Sequence, residues 1–175
     1  MKKVTFFAAI AMIAFTTNSF AQDDASAFVA TNAKVITPIT IAGVNALSFG
    51  DIVGTAGGGT VTIATDGGRS SSSTDLLITG TPGTVSAASF TVTGEADYTY
   101  EITLPTATFL VENGDTEPAT MSVGTLTASP GVGSTGVLTG GSETVSVGAI
   151  LTVAANQATG VYTNANEMIV TVYYN

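Results

Sequence analysis

The residues of this sequence that could do chemistry are few, and most are carboxylates. Histidine, cysteine and tryptophan are absent. Ser-His-Asp and Cys-His arrangements and the usual zinc sites are therefore excluded, since each needs an imidazole or a thiolate. The catalytic route left is a pair of carboxylates of the glycosidase kind, with Glu95 and Glu101, or Glu112 and Glu117, as the available pairs. All four fall in turns or on a Thr-lined strand face, where carboxylates are solvated. The reading is a protein that is not an enzyme. Glu112, Asn113, Asp115 and Glu117 gather several oxygens in one short turn and form a candidate calcium site. Their spacing lacks the twelve-residue EF-hand pattern, and Asn113 followed by Gly114 reads more simply as a hairpin turn. Gly57, Gly58 and Gly59 open a strand and have no Lys-Ser/Thr after them, so they make no phosphate loop. No cofactor is expected.

The elements that would carry these residues are strands. Charged residues make up 10% of the chain, while Gly, Thr, Val, Ala and Ser dominate, the composition of a Val-cored, Thr-faced β-protein. At the N-terminus, Lys2 and Lys3 precede an apolar run from Val4 to Phe15 and small residues at Ser19 and Ala21. This is the pattern of a secretory signal, residues 1–21, cleaved after Ala21. The run is too short to anchor the chain in a membrane, so no membrane insertion of the mature chain is expected. Its place is the periplasm, the cell surface or the medium. Removal of the signal leaves Lys34 and Arg69 as the only cations against thirteen acids. That balance argues against nucleic acid and anionic lipid, which bind chiefly through Lys and Arg. With no cysteine, no disulfide staples the fold, and burial and strand pairing must hold it.

Residues 22–34 are small and polar around Phe28 and Val29 and read as an extended N-terminal arm or a first strand. Residues 35–175 read as a single β domain. Ile39 and Ile41, Leu47 and Phe49, Thr60 to Ile63, and Leu76 to Thr79 are short strand candidates, with 65–74 a loop by composition. Ser89 to Thr93 and Tyr98 to Leu104 read as an adjacent hairpin, with Tyr98, Tyr100, Ile102 and Leu104 on one face. Met121 and Val123 alternate up to Gly124, where a bulge or bend is expected. Val145, Val147, Ala149, Leu151 and Val153 share a face in the longest period-two run. The last stretch, Gly160 to Asn175, ends in an alternation that puts Met168, Val170, Val172 and Tyr174 on one side. No segment after the signal has a helical apolar period. Nine or ten short strands between Gly, Pro, Asn and Asp clusters predict an all-β, immunoglobulin-like antiparallel β-sandwich, with a closed barrel as the alternative.

Several pieces, in this order, resemble the bacterial domain-of-unknown-function 4402 family: Pro38 to Ile41, Leu47 to Gly50, Gly59 to Ile63 with Gly68 to Ser70, Ala88 to Gly94, Tyr100 to Pro105, Val147 to Leu151, and Gly160 to Tyr162 before Val170 to Asn175. That family is similar in appearance to spore coat protein U and the chaperone–usher pilins. The resemblance implies a pilin-like sandwich lacking one strand, which a periplasmic chaperone or the arm of the next subunit supplies by strand addition. Residues 22–34, with Phe28 and Val29, would then be the donor arm. The strand bearing Met168, Val170, Val172 and Tyr174 would border the acceptor groove.

The sequence thus predicts a secreted structural or surface-assembly subunit whose partners are itself, related surface subunits, or a chaperone and usher. Low charge with abundant β-branching makes exposed strand edges an aggregation hazard, so something in the biology is expected to fill them. The alternative is a monomeric extracellular binding module or adhesin that uses its loops to hold a glycan, a protein or a cation.

Overall fold

The period-two run from Val145 to Val153 forms the strand on which the protein is built. A computed structural model describes residues 24–77, 80, 82–112, 119–131, 136–164 and 168–175. The predicted signal, residues 1–21, lies outside them. The chain divides into Met1–Val35 and Ile36–Asn175. In the first unit residues 24–35 form neither helix nor strand. The second unit contains strands β1 (Thr40–Asn45), β2 (Ser48–Phe49), β3 (Gly59–Ile63), β4 (Arg69–Ser71), β5 (Val85–Ser86), β6 (Ala88–Thr93), β7 (Thr99–Thr103), β8 (Ala107–Glu112), β9 (Thr120–Ser129), β10 (Gly136–Val137), β11 (Ser142–Val153), β12 (Tyr162–Thr163) and β13 (Thr171–Tyr174).

Val145, Val147, Ala149, Leu151 and Val153 of β11 are all buried, while Ser142 and Thr144 before them and Thr152 between the last two face water. Branched residues on one face and hydroxyl residues on the other suit a half-buried pleated strand. The large sheet runs β1-β6-β11-β9-β8-β12, all antiparallel, and β3 pairs with the second half of β11 where β6 leaves off. Gly148 sits at that handover. A Cβ there would collide with the carbonyl oxygen of Ile63 and the backbone of Ala64 and Thr65, so only glycine lets β3 end against β11. The bulge expected at Gly124 is present: the β11–β9 register slips between Gly148 and Ile150, and Thr125 takes up the extra residue at φ 47°.

A second layer, β10-β7-β13, packs over only half of this sheet. Between the two lies a core of Ala88, Val92, Tyr100, Ile102, Val145 and Val147, with Leu138 and Val170. The other half of the large sheet buries Val61, Ile63, Met121, Val123, Leu151 and Val153 against Phe49 and Leu76, which the β2–β5 ladder and the turn at Thr74–Leu76 bring over it. The result is an all-β antiparallel sandwich whose second layer is incomplete.

Three local expectations are corrected. Ser89 to Thr93 and Tyr98 to Leu104 do not form a hairpin: β6 pairs with β1 and β11, whereas β7 pairs with β10 and β13 in the other layer. The connection is an arch. Its Gly94 and Asp97 N–H groups go to the carbonyls of Gly141 and Leu138, not back across a two-strand turn. Asp97 adopts φ 64°, and beyond it Tyr98 turns outward, 37% exposed, while Tyr100 and Ile102 point inward. Second, Leu76 to Thr79 was expected to be a strand; Thr74–Leu76 instead form a 3-10 turn, because the Ser73 side chain accepts the Asp75 N–H and starts a turn there. Leu77 keeps a single bridge to Ile52, and residues 78 and 79 lie outside the described ones. Third, the expected loop at 65–74 includes β4. The Asp66 carboxylate accepts the Gly68 N–H and tightens the turn, returning Arg69–Ser71 to pair with β3.

Candidate functional site

Two strand edges face one another without a ladder between them. Among the described residues β1 pairs only with β6, and β13 only with β7. Both belong to the core by one face: Ile39 and Ile41 from the β1 side, and Met168, Val170, Val172 and Tyr174 from the other, pack on the same cluster. Ile169 and Tyr173 between them are exposed. The alternation predicted for the last strand is therefore the observed one, although the ladder itself is confined to Thr171–Tyr174.

At one end the two edges are tied together. The Tyr174 hydroxyl donates to the Thr37 carbonyl at 2.7 Å and accepts the Glu95 N–H at 2.6 Å. The Glu95 carboxylate in turn accepts the Thr37 N–H at 3.1 Å and its hydroxyl at 3.0 Å. The Tyr174 ring meets Tyr98 edge-on, with centroids 5.9 Å apart. Gly94 lies directly under the phenol, and any side chain there would occupy the position of its oxygen.

At the other end the edges part. Asn45 and Met168 line a common cavity of about 260 Å³, floored by Phe90, Thr108, Leu110 and Val123. It shares Leu47, Phe49, Leu110 and Asn164 with a larger cleft of about 720 Å³ that reaches Met121, Leu151 and the segment 157–164. Together they make an apolar groove over the part of the large sheet that the second layer leaves uncovered. Its polar rim is internally paired: Gln157 Nε2 donates to the Tyr162 hydroxyl at 3.0 Å, and that hydroxyl donates to the Ala158 carbonyl at 2.8 Å. Beside it, Arg69 Nη2 donates to the Asp51 carbonyl at 2.6 Å. Burial lowers the Arg69 pKa, against the opposing pull of Asp51.

The layer carrying β13 is fixed to the large sheet by a second polar contact. The hydroxyl of fully buried Tyr100 donates to Glu143 Oε2 at 2.8 Å, and the Val137 N–H donates to the same oxygen at 3.2 Å. Burial first, and then the hydrogen bond and charge of Glu143, push the Tyr100 phenol well above its ordinary range. A pKa raised on folding contributes stability that is complete below the unfolded value, about 10, and is lost as pH rises beyond it. Stability should therefore fall above about pH 10, at up to about 1.4 kcal/mol per pH unit from this group. Tyr173, whose bond to Glu101 raises its pKa, acts in the same direction. In chemical unfolding across pH 8–11, Tyr100→Phe should show the shallower decline; an unchanged slope would contradict the role of this phenol.

Of the sequence-derived candidates, Met168, Val170, Val172 and Tyr174 pack on one core cluster, and Met168 also lines the smaller cavity. Phe28 and Val29 are exposed in a segment with no ladder. Glu112 ends β8, paired through its backbone with Tyr162, and Asn113, Asp115 and Glu117 lie outside the described residues. Among the described residues no group of three or more His, Cys, Asp or Glu side chains gathers as a metal site. Glu95 and Glu101, proposed as a pair, are engaged separately, by Thr37 and by Tyr173. Sequence reading did not find the tie between Thr37, Glu95 and Tyr174, nor the Tyr100–Glu143 contact. The partners are 58, 137 and 43 residues apart, and no local pattern announces such pairs.

The matched family settles what this framework is. The chain belongs to the DUF4402 family. That family, described as "Domain of unknown function (DUF4402)", matches residues 39–174, which include both groove edges and leave the arm outside. No curated protein is similar enough to this DUF4402 chain to count as a relative.

Proposed function

We propose that this DUF4402 protein is an exported, non-enzymatic surface-assembly subunit, and that it assembles by accepting an extended strand of a partner between β1 and β13. The observation that carries the reading is the pair of unladdered edges, which open at their Asn45 and Met168 end into an apolar groove. Such edges are normally covered, charged or bulged, and here they border buried core side chains. A strand added there gains main-chain hydrogen bonds along the edge and apolar burial at every second residue. The signal-like N-terminus supports export, and the exposed segment 24–35, with Phe28 and Val29 near its middle, supports a donor within the same chain type. A chaperone or a related subunit would present the same chemistry.

The cleft of about 720 Å³, walled by loop residues 157–164, favours the second reading, a monomeric module that holds a ligand at its loops. Hydrogen exchange separates the two. In an assembled or chaperone-bound state, the outward amides of β1 and β13 should gain protection of at least tenfold over the monomer. Protection confined to 157–164 on ligand addition, with both edges exchanging freely, would replace strand addition by the loop-binding reading.

A further inference from the structure

We infer that the cluster of Thr37, Glu95 and Tyr174 is a stop that sets the register of the incoming strand, an inference that rests on the assembly reading above. The two ends of the groove differ. At the Tyr174 end both backbone polar groups of Thr37 are already engaged, the N–H by the Glu95 carboxylate and the carbonyl by the Tyr174 hydroxyl. Gly94 closes the space beneath. At the Asn45 and Met168 end the edges open into the two confluent cavities. A strand entering from the open end pairs toward Tyr174 and halts where the backbone of Thr37 is occupied.

Register matters because a slip of one residue turns every apolar side chain of the strand away from the groove. The edges themselves fix it poorly, since main-chain pairing is the same at every step; a fixed end removes that ambiguity.

The occupant the observations favour is the arm of a second copy. Residues 24–35 span about 40 Å when extended at about 3.3 Å per residue, against about 23 Å for Met168 to Tyr174. The arm carries Phe28 as its one bulky aromatic side chain, and the widest space is at the open end.

The absence of cysteine makes disulfide mapping clean. One preparation of the chain, lacking residues 1–21, carries Phe28→Cys. The others each carry one cysteine where β1 and its continuation line the cavity or pack on the adjoining core: Leu47→Cys, Asn45→Cys, Ile41→Cys or Ile39→Cys. Each groove preparation is mixed with the first and oxidised, and the hetero-cross-linked product is quantified. With Tyr174 intact, one position should exceed every other at least fivefold. Tyr174→Phe, which keeps the ring and removes both of its hydrogen bonds, should spread the product over several positions. Glu95→Ala, which leaves Tyr174 in place, should do the same and covers the case in which the first variant folds poorly. An unchanged single maximum in both variants would overturn the stop while leaving strand donation intact. No hetero-product at any position with Tyr174 intact, from a chain that scatters as a monomer, would overturn donation and the stop with it.

Discussion

Tyr100→Ala should cost about 3–5 kcal/mol of stability, the range for truncating a fully buried aromatic side chain. For a domain whose total is of order 5–15 kcal/mol, this leaves little or no folded population at elevated temperature. The size follows from the position. Tyr100 is the largest fully buried side chain, and its strand β7 is the centre of the three-stranded layer, pairing with β10 on one side and β13 on the other. Its ring also fills the space against Gly136, where a Cβ would touch it. Truncation therefore opens a cavity between the layers and strips Glu143 of its hydroxyl donor, leaving only the Val137 N–H. Tyr100→Phe keeps the ring and should cost about 1.5–3 kcal/mol, the scale for a hydrogen bond to a charged acceptor. Urea unfolding of the two variants measures both. If Tyr100→Ala were within 1 kcal/mol of the wild type, the second layer would not depend on this side chain.

The parts of the fold legible in the sequence are those in which the two faces of a strand differ. Val145 to Val153 and Met168 to Tyr174 each carry an unbroken apolar side at every second residue, and the structure buries or half-buries that side. Gly124 was legible because a glycine interrupts an otherwise continuous alternation. Ser89 to Leu104 misled because two alternating runs joined by a short polar turn satisfy the pattern of a hairpin and of an arch equally. The choice is made by Gly141 and Leu138, whose carbonyls capture the arch. Leu76 failed because a buried apolar residue fits a turn packed on the core as well as it fits a strand, and Ser73 decided for the turn. At the candidate site the core-facing side of the last strand was visible. The tie that closes one end was not, since Thr37 and Glu95 are polar residues in connections with no periodicity to betray their partners.

Removing residues 22–34 should abolish self-assembly while leaving the domain folded. Residues 24–35 form neither helix nor strand, and Phe28, Val29 and Val35 are exposed. The effect of the deletion on unfolding should therefore stay within about 0.5 kcal/mol, as for surface changes generally. What it removes is the proposed donor. Without it the β1 and β13 edges remain open, and the apolar groove has no segment of its own kind to receive.

The most direct measurement is static light scattering of the chain lacking residues 1–21, with and without residues 22–34, at matched concentration. The account predicts particles many times the monomer mass for the chain that keeps its arm, and a monomer of unchanged thermal stability for the chain that lacks it. A monomer in both forms, purified away from any bound chaperone, or polymers that survive loss of the arm, would contradict assembly by donation of this segment.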